Sequence, residues 1–474
     1  MRGTVRPSGL GLQTSSSSKR QTTLPDLLLD IGPGPARAAA VEQALRRSII
    51  GGRLASGTRL PSSRELARDL GCARATVVTA YEQLVAEGYL VAAAGSGTTV
   101  ASVRTSPPAG EADSSKGFFT DLLPGEPDPS SFPRQAWGVA LRKVLHTSPD
   151  GLFRYGDRRG LAELRVALAG YLARSRSVVV DPSRVVIFGG FASALSVLAT
   201  TFHRLGIDRV AVEDPGLPPL RKVITAGGPA IVPIRVDEHG LRVDDLAAAR
   251  VVLCTPAHQY PMGVVLSATR RVALIDWARD NDGWIIEDDY DGEFRYDRRP
   301  VGAMQGLDPE RVIYGGTASK SLAPGVGLAW LVLPPRLLEP VLDTLRQRRD
   351  TVSSIEQAAL ADFIATGRLD RHLRSQRQHY RRRRDSLVQL LENHAPWLEV
   401  AGVSAGLHAT ALLHDRDEQA IIERAAARSV ALFGIANHSI GAPTRQGLVI
   451  GYSRSAAHAF PQALETLAGI LNLR

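Results

Sequence analysis

A chain of 474 residues exceeds what one ordinary core absorbs, so two or more domains are expected. With 44% hydrophobic and 22% charged residues, no apolar run near the roughly 20 residues that cross a bilayer, and only Cys72 and Cys254 for thiols, the composition excludes a membrane protein and a disulfide framework and predicts a cytoplasmic chain with no metal centre. The formal charge of +9 is uneven: residues 1–104 hold 13 Lys and Arg against 7 Asp and Glu, so most of it sits in the first fifth of the chain, which points to nucleic acid.

Residues 1–22 are Ser- and Gly-rich, lack the apolar segment of a secretory signal, and read as disordered. Val41, Leu45, Ile49 and Ile50 then recur at helical spacing, and Gly51-Gly52 ends that helix. In "LPSSRELARDLGCARATVVTAYEQLVAEGYL", Ser62 and Glu65 have capping-box spacing, Gly71 turns the chain, and a second helix is predicted from Arg74 to Glu87. Its inner face is Val77, Val78, Tyr81, Leu84 and Val85, and Arg74, Thr76 and Thr79 face outward near its start. "YLVAAAGSGTTVAS" adds two short strands around a Gly-Ser-Gly turn, so residues 23–102 are predicted to form a winged helix-turn-helix. "VRTSPPAGEADSSKG", residues 103–117, is a linker by its Pro, Ser and charge content.

That run closely resembles the winged helix-turn-helix of GntR-type regulators. The resemblance implies a double-stranded DNA operator as partner, touched by Ser62, Ser63, Arg64, Arg74, Thr76 and Thr79, with Gly95 and Gly97 letting the wing approach the minor groove. Relatives carry a polar residue at Ala75 and basic residues before the wing turn, where this chain has "VAAAG". Fewer contacts per domain imply binding as a dimer on two half-sites.

From residue 118 to 474, β-branched runs alternate with helix-patterned segments: "RVVIF", "RVAVED", "AIVPIRV", "VVLCTP", "WIIEDD", "RVIYGG" and "LAWLVLP". Such alternation predicts an α/β domain built on parallel crossovers, with ligands at the C-terminal strand ends. The unusual residues lie at those ends: Gly189-Gly190, Asp214-Pro215, Thr255-Pro256, Asp288-Asp289 and Ser319-Lys320. A lysine there suits imine chemistry if desolvation lowers its pKa. The helix after Gly190 is expected to leave N–H groups of Ala192, Ser193 and Ala194 free for a phosphate.

With "TPAHQYPMG", "IEDDYDGEF" and "SKSLAPG" in that order, the large domain resembles a fold type I, class I aminotransferase, and the whole chain resembles the MocR/GabR subfamily of bacterial regulators. That resemblance implies pyridoxal 5'-phosphate, with Lys320 as Schiff-base lysine, Asp288 on the ring nitrogen and Tyr290 on the ring hydroxyl oxygen. It further implies Ala192, Ser193, Thr317 and Ser319 at the phosphate, Tyr155 reaching the phosphate of the other subunit of a homodimer, and His258 in the loop beside the ring. Departures are Gly327 for a phosphate-binding arginine, Leu217 for an aromatic that stacks on the ring, and Val449 for the arginine that holds a substrate carboxylate. The expected function is therefore a DNA-binding regulator that senses an amine or amino acid with little or no turnover. The rivals are an active aminotransferase with an accessory domain and a regulator whose large domain is a cofactor-free dimerisation scaffold. The arginines of "RLDRHLRSQRQHYRRRRDSL" are read as a solvated helix face.

Overall fold

The computed structural model describes residues 37–93, 97–102, 120–246, 249–297, 301–414, 416–441 and 443–472. The expected disordered start, the linker at 103–117 and Gly95 lie outside them. The described residues fall into two compact units, one before and one after residue 117.

The first unit is built on three helices, Arg37–Ile50, Ser63–Asp69 and Arg74–Ala86, followed by the antiparallel pair Leu90–Ala93 and Gly97–Val100. Val41, Leu45, Ile49, Leu66, Val77, Tyr81, Leu84, Leu90 and Val100 close its core. Two expected core positions are instead exposed, Ile50 at 49% and Val85 at 36%; each follows directly on a buried residue, and a helix turns consecutive side chains by about 100°, so the inner face takes Ile49 and Leu84. Ser62 completes the capping box, its hydroxyl accepting from the Glu65 N–H while the Glu65 carboxylate accepts from the Ser62 N–H.

The second unit carries an eight-stranded sheet in the order Val185–Phe188, Ala329–Val332, Val312–Thr317, Trp284–Asp288, Val251–Cys254, Arg209–Asp214, Ala230–Asp237 and Gly240–Leu241. The central strands are parallel and buried from end to end, as a sheet covered by helices on both faces requires. Ala329–Val332 departs from the expected parallel crossover: it runs antiparallel to both neighbours. Only a short helix, Ala318–Ser321, and a tight turn precede it, too little chain to return along the sheet for another parallel strand.

The C-terminal part adds a four-stranded antiparallel sheet, Leu398–Ala401, His408–Leu413, Gln446–Gly451 and Phe433–Gly434. The 27-residue helix Arg368–His394 packs beside it. Of the expected solvated arginines, Arg371, Arg374 and Arg381 are exposed, and Arg377 is half-buried with Nε donating to the Glu293 carbonyl at 2.6 Å. Arg383 is internal, donating to Asp128 at 3.0 Å and to the carbonyls of Tyr452, Ser453 and Ser455. The segment from Thr120 pairs with Val430–Ala431, so the beginning of this unit lies on its C-terminal sheet layer.

Candidate cofactor cavity and nucleic-acid interface

In the small unit the first helix turns place Ser62, Arg64, Arg74 and Thr79 at the surface, with Ser63 and Thr76 half-buried. Arg74 Nε donates to Ser63 Oγ at 3.3 Å, which ties the starts of the two helices together. The capping hydroxyl of Ser62 accepts a bond from the helix and keeps its own proton to donate, the form a phosphate oxygen needs. Gly97 has φ +88°, and a Cβ there would stand 3.1 Å from the guanidinium of Arg59. Arg59 is exposed and bridges to Thr99 beneath the wing. It escaped the sequence reading because its position ahead of the helix-turn-helix shows no periodicity.

At the C-terminal strand ends of the large unit, one cavity of about 380 Å³ gathers Lys320, Asp288, Tyr290, Thr317 and Ser319. Thr255 and Glu213 also line it, together with Tyr260, Glu126, Gly125, Leu217, Arg221 and Phe191. Each side chain arrives at the end of a strand or the start of a helix: Asp288 closes Trp284–Asp288, and Lys320 follows Val312–Thr317, whose last residue caps the next helix by accepting from the Ser319 N–H at 3.1 Å.

Burial raises the Asp288 carboxyl well above its ordinary range; Lys320 opposes the rise, and Asp289 and Asp291 add to it. Burial likewise lowers the Lys320 amine, an effect that Asp288 partly offsets. Lys320 Nζ donates to the carbonyl of Gly125. Glu213, fully enclosed, is pushed up to about 7 by burial although it accepts from the Thr255 N–H at 3.2 Å and hydroxyl at 2.6 Å and from Gln259 at 3.2 Å.

The remaining residues singled out by sequence lie around this cavity rather than in it. Tyr290 Oη bonds the carbonyl of His258 at 3.2 Å, and His258 Nδ1 is 2.8 Å from Asp291, so His258 lies behind the tyrosine and the cavity wall is Tyr260. Ser193 lines a neighbouring cavity with Tyr155, Gly189 and Arg348, and Tyr155 is 95% exposed. The N–H groups of Ala192 and Ser193 lie in the first turn of Phe191–Arg204, whereas that of Ala194, expected to be free, donates to Gly190 at 3.1 Å as the helix begins. Phe191 was not foreseen: its ring lies so close to Gly315 that a Cβ there would come within 2.4 Å of it.

Val449 is sealed, with Met262, Leu412 and Ile435 around it, so no cation enters from that position. Arg454 is engaged with Asp121 at 3.0 Å and Glu126 at 3.4 Å. Gly327 has φ +61°, and a Cβ there would meet the Gly189 carbonyl oxygen at 3.9 Å, an ordinary contact.

Residues 37–100 match the family of bacterial regulatory proteins of the gntR type, and residues 125–435 match aminotransferase class I and II. A probable rhizopine catabolism regulatory protein, MocR, of Rhizobium meliloti is 34% identical over 441 residues, covering 87% of this chain and 89% of that protein. The pyridoxine biosynthesis transcriptional regulator PdxR of Corynebacterium glutamicum is 34% identical over 427 residues, 86% and 90% of the two chains. Among solved structures, an archaeal alanine:glyoxylate aminotransferase is 26% identical with a TM-score of 0.67, covering 74% of this chain and 90% of its own. Because both units are matched, in the order helix-turn-helix then aminotransferase fold, and full-length regulators align across them, the chain belongs to the MocR/GabR subfamily of GntR-type transcriptional regulators.

Proposed function

We propose that this regulator holds pyridoxal 5'-phosphate at Lys320 and reads an amine or amino acid there, acting as a cytoplasmic homodimer on operator DNA. The observation that carries the reading is the meeting of Lys320, Asp288, Tyr290, Thr317 and Ser319 in one cavity. An amine with a lowered pKa, a buried carboxyl, a phenol and two hydroxyls fit the carbonyl, ring nitrogen, ring oxygen and phosphate of that cofactor. When bound, the cofactor supplies a carbonyl that condenses with amines and a ring that withdraws electrons.

The chain's own residues supply the rest. Asp288 provides the counter-charge for a protonated ring nitrogen, and Tyr290 positions a donor beside the ring oxygen. Thr317 and Ser319 offer hydroxyls to the phosphate, joined by the N–H groups of Ala192 and Ser193, and Tyr155 is exposed for a partner subunit's site. Gly327 leaves the phosphate without a guanidinium, a charge-assisted bond of about 1.5–3 kcal/mol, so binding is weaker than in relatives with the arginine.

Lys320 also supplies the transmission. Its amine holds the carbonyl of Gly125, in a segment that pairs with Val430–Ala431 and follows directly on residues 103–117, the expected linker to the DNA-binding unit. A ligand that changes the partner of Lys320 changes the hold on that segment, and thereby the bias between arrangements of the DNA-binding units. With Val449 apolar, no guanidinium fixes a substrate carboxylate from that strand, so the particular orientation that α-proton removal requires is missing and steady turnover with a keto acid is negligible.

The test is an absorption spectrum of the purified protein with added pyridoxal phosphate. A visible band that Lys320→Ala abolishes supports the reading; the same band in the variant, or none in the wild type, overturns it.

A further inference from the structure

The cavity contains a cation that neither the cofactor scheme nor the family comparison employs. Arg221 lies one turn into the helix Pro218–Ala226, is 9% exposed, and lines the same cavity as Lys320. Its Nη2 donates to the carbonyl of His438 at 2.6 Å and to that of Glu213 at 3.3 Å, and stands 3.5 Å from the carboxylate of Asp214. Its Nε, buried, has no partner. His438, 2% exposed, leaves both ring nitrogens unpartnered, with its ring edge-on to Tyr260 at 5.1 Å and to Phe433 at 5.6 Å. Phe433 pairs across the small sheet with Val449, the position where relatives place the carboxylate-binding arginine.

Arg221 thus brings a buried guanidinium with an unpartnered Nε to the wall of the cavity that holds Lys320, while His438, whose backbone carbonyl it bonds, stands outside that lining. A buried donor without a partner is costly, so a ligand that supplies an acceptor oxygen to this guanidinium is favoured.

Resting on the reading of Lys320 as the amine-exchanging group, we propose that Arg221 forms a carboxylate subsite apart from position 449, so that the effector is an amino acid rather than a simple amine. Asp214 is the internal competitor: it neutralises part of the guanidinium while its Oδ1 accepts from the Ile440 N–H at 2.8 Å. Burial lowers the pKa of Arg221, and a ligand carboxylate opposes that effect by supplying negative charge. Burial also lowers His438, to about 4, with Arg221 adding to the shift, so the imidazole beside it adds no second positive charge near pH 7.

The experiment titrates the visible band of the cofactor-loaded, full-length protein with leucine and isopentylamine, and with β-alanine and ethylamine. Each pair differs by one carboxylate. In wild type at least one amino acid should bind about tenfold more tightly than its amine, a difference of about 1.4 kcal/mol. Arg221→Met should abolish that preference while the amines bind within about twofold of wild type, as expected for loss of one charge-assisted contact. Asp214→Asn, which keeps the acceptor for Ile440 and removes the competing charge, should enlarge the preference, and it tests the subsite even if Arg221→Met does not fold. Equal binding of acid and amine in wild type, or a preference that survives Arg221→Met, overturns the inference and leaves the reading of Lys320 standing. If Arg221 instead holds the cofactor's phosphate, Arg221→Met weakens pyridoxal phosphate binding and leaves the ratios unchanged, which also overturns it. A band unmoved by all four probes contradicts the reading of Lys320 and the subsite together.

Discussion

Lys320 and Asp288 are the residue-scale centre of the account, because each is displaced from its ordinary titration by the same burial. Lys320 loses charge more easily than an exposed lysine, since desolvation disfavours the ammonium, and Asp288 leads the carboxylates that work the other way, ahead of Glu126 and Asp291. Competitive acetylation of the cofactor-free protein should therefore give Lys320 an apparent pKa below 10.5. Asp288→Asn should lower it further, since the group that favours the ammonium is removed. A value unchanged or raised by that substitution would show that Asp288 does not act on the amine. The linkage sign is definite: the folded pKa lies below the unfolded one, so between them the unfolded chain holds the extra proton and this group's contribution to stability grows as pH rises through that window.

Most of this pairing was legible in the sequence, because a lysine and an acidic cluster at strand ends have few packing explanations. Tyr260 and Arg221 were not legible. A tyrosine in a buried loop cannot be told from core by spacing, and an arginine one turn into an exposed-looking helix reads as solvated. Glu213 was hidden by its neighbour: "EDP" marks the strand end but does not say which carboxylate turns inward.

At the scale of elements, the caps and glycines make the sharpest predictions. Ser62→Ala removes the hydroxyl that accepts from the Glu65 N–H at the start of Ser63–Asp69 and should cost about 1 kcal/mol, read as a lowered melting temperature of the DNA-binding unit, together with weaker DNA binding. Loss of neither would mean that the short helix is held by packing alone. Gly327→Arg carries two effects of opposite sign. A guanidinium restored near the phosphate should tighten cofactor binding, while a side chain at φ +61° costs about 1–2 kcal/mol of stability. The variant should melt earlier without cofactor and bind pyridoxal phosphate more tightly; a variant with no gain in affinity would place the phosphate elsewhere.

The elements themselves were readable where their pattern was continuous. The central parallel strands carry apolar runs that break into carboxylates only at their C-terminal ends, as burial on both faces demands, and the capping box announces its helix. Ala329–Val332 reads like any other central strand, since antiparallel insertion between buried neighbours leaves the same apolar signature; only the shortness of the preceding connection distinguishes it.

For the whole molecule, the two units divide the work. The chain belongs to a family in which a helix-turn-helix reads DNA and an aminotransferase fold accompanies it, and in the function proposed above the retained lysine serves sensing. The proposed homodimer should bind an operator much more tightly than residues 1–104 alone, because joining two half-site contacts raises the effective concentration of the second; equal affinities in a mobility-shift titration would rule out bivalent binding. Sequence showed this organisation through motif order, but it could not show that the segment held by Lys320 at Gly125 is the one that follows the linker, because that contact joins residues 195 positions apart. The central claim is that occupancy at Lys320 controls DNA binding. It is tested most directly by measuring operator affinity, on duplexes selected from random sequence, with and without leucine in the cofactor-supplemented wild type and in Lys320→Ala. The account predicts that leucine changes the affinity of the wild type and leaves Lys320→Ala unaffected; an equal change in both proteins, or none in the wild type, would contradict it.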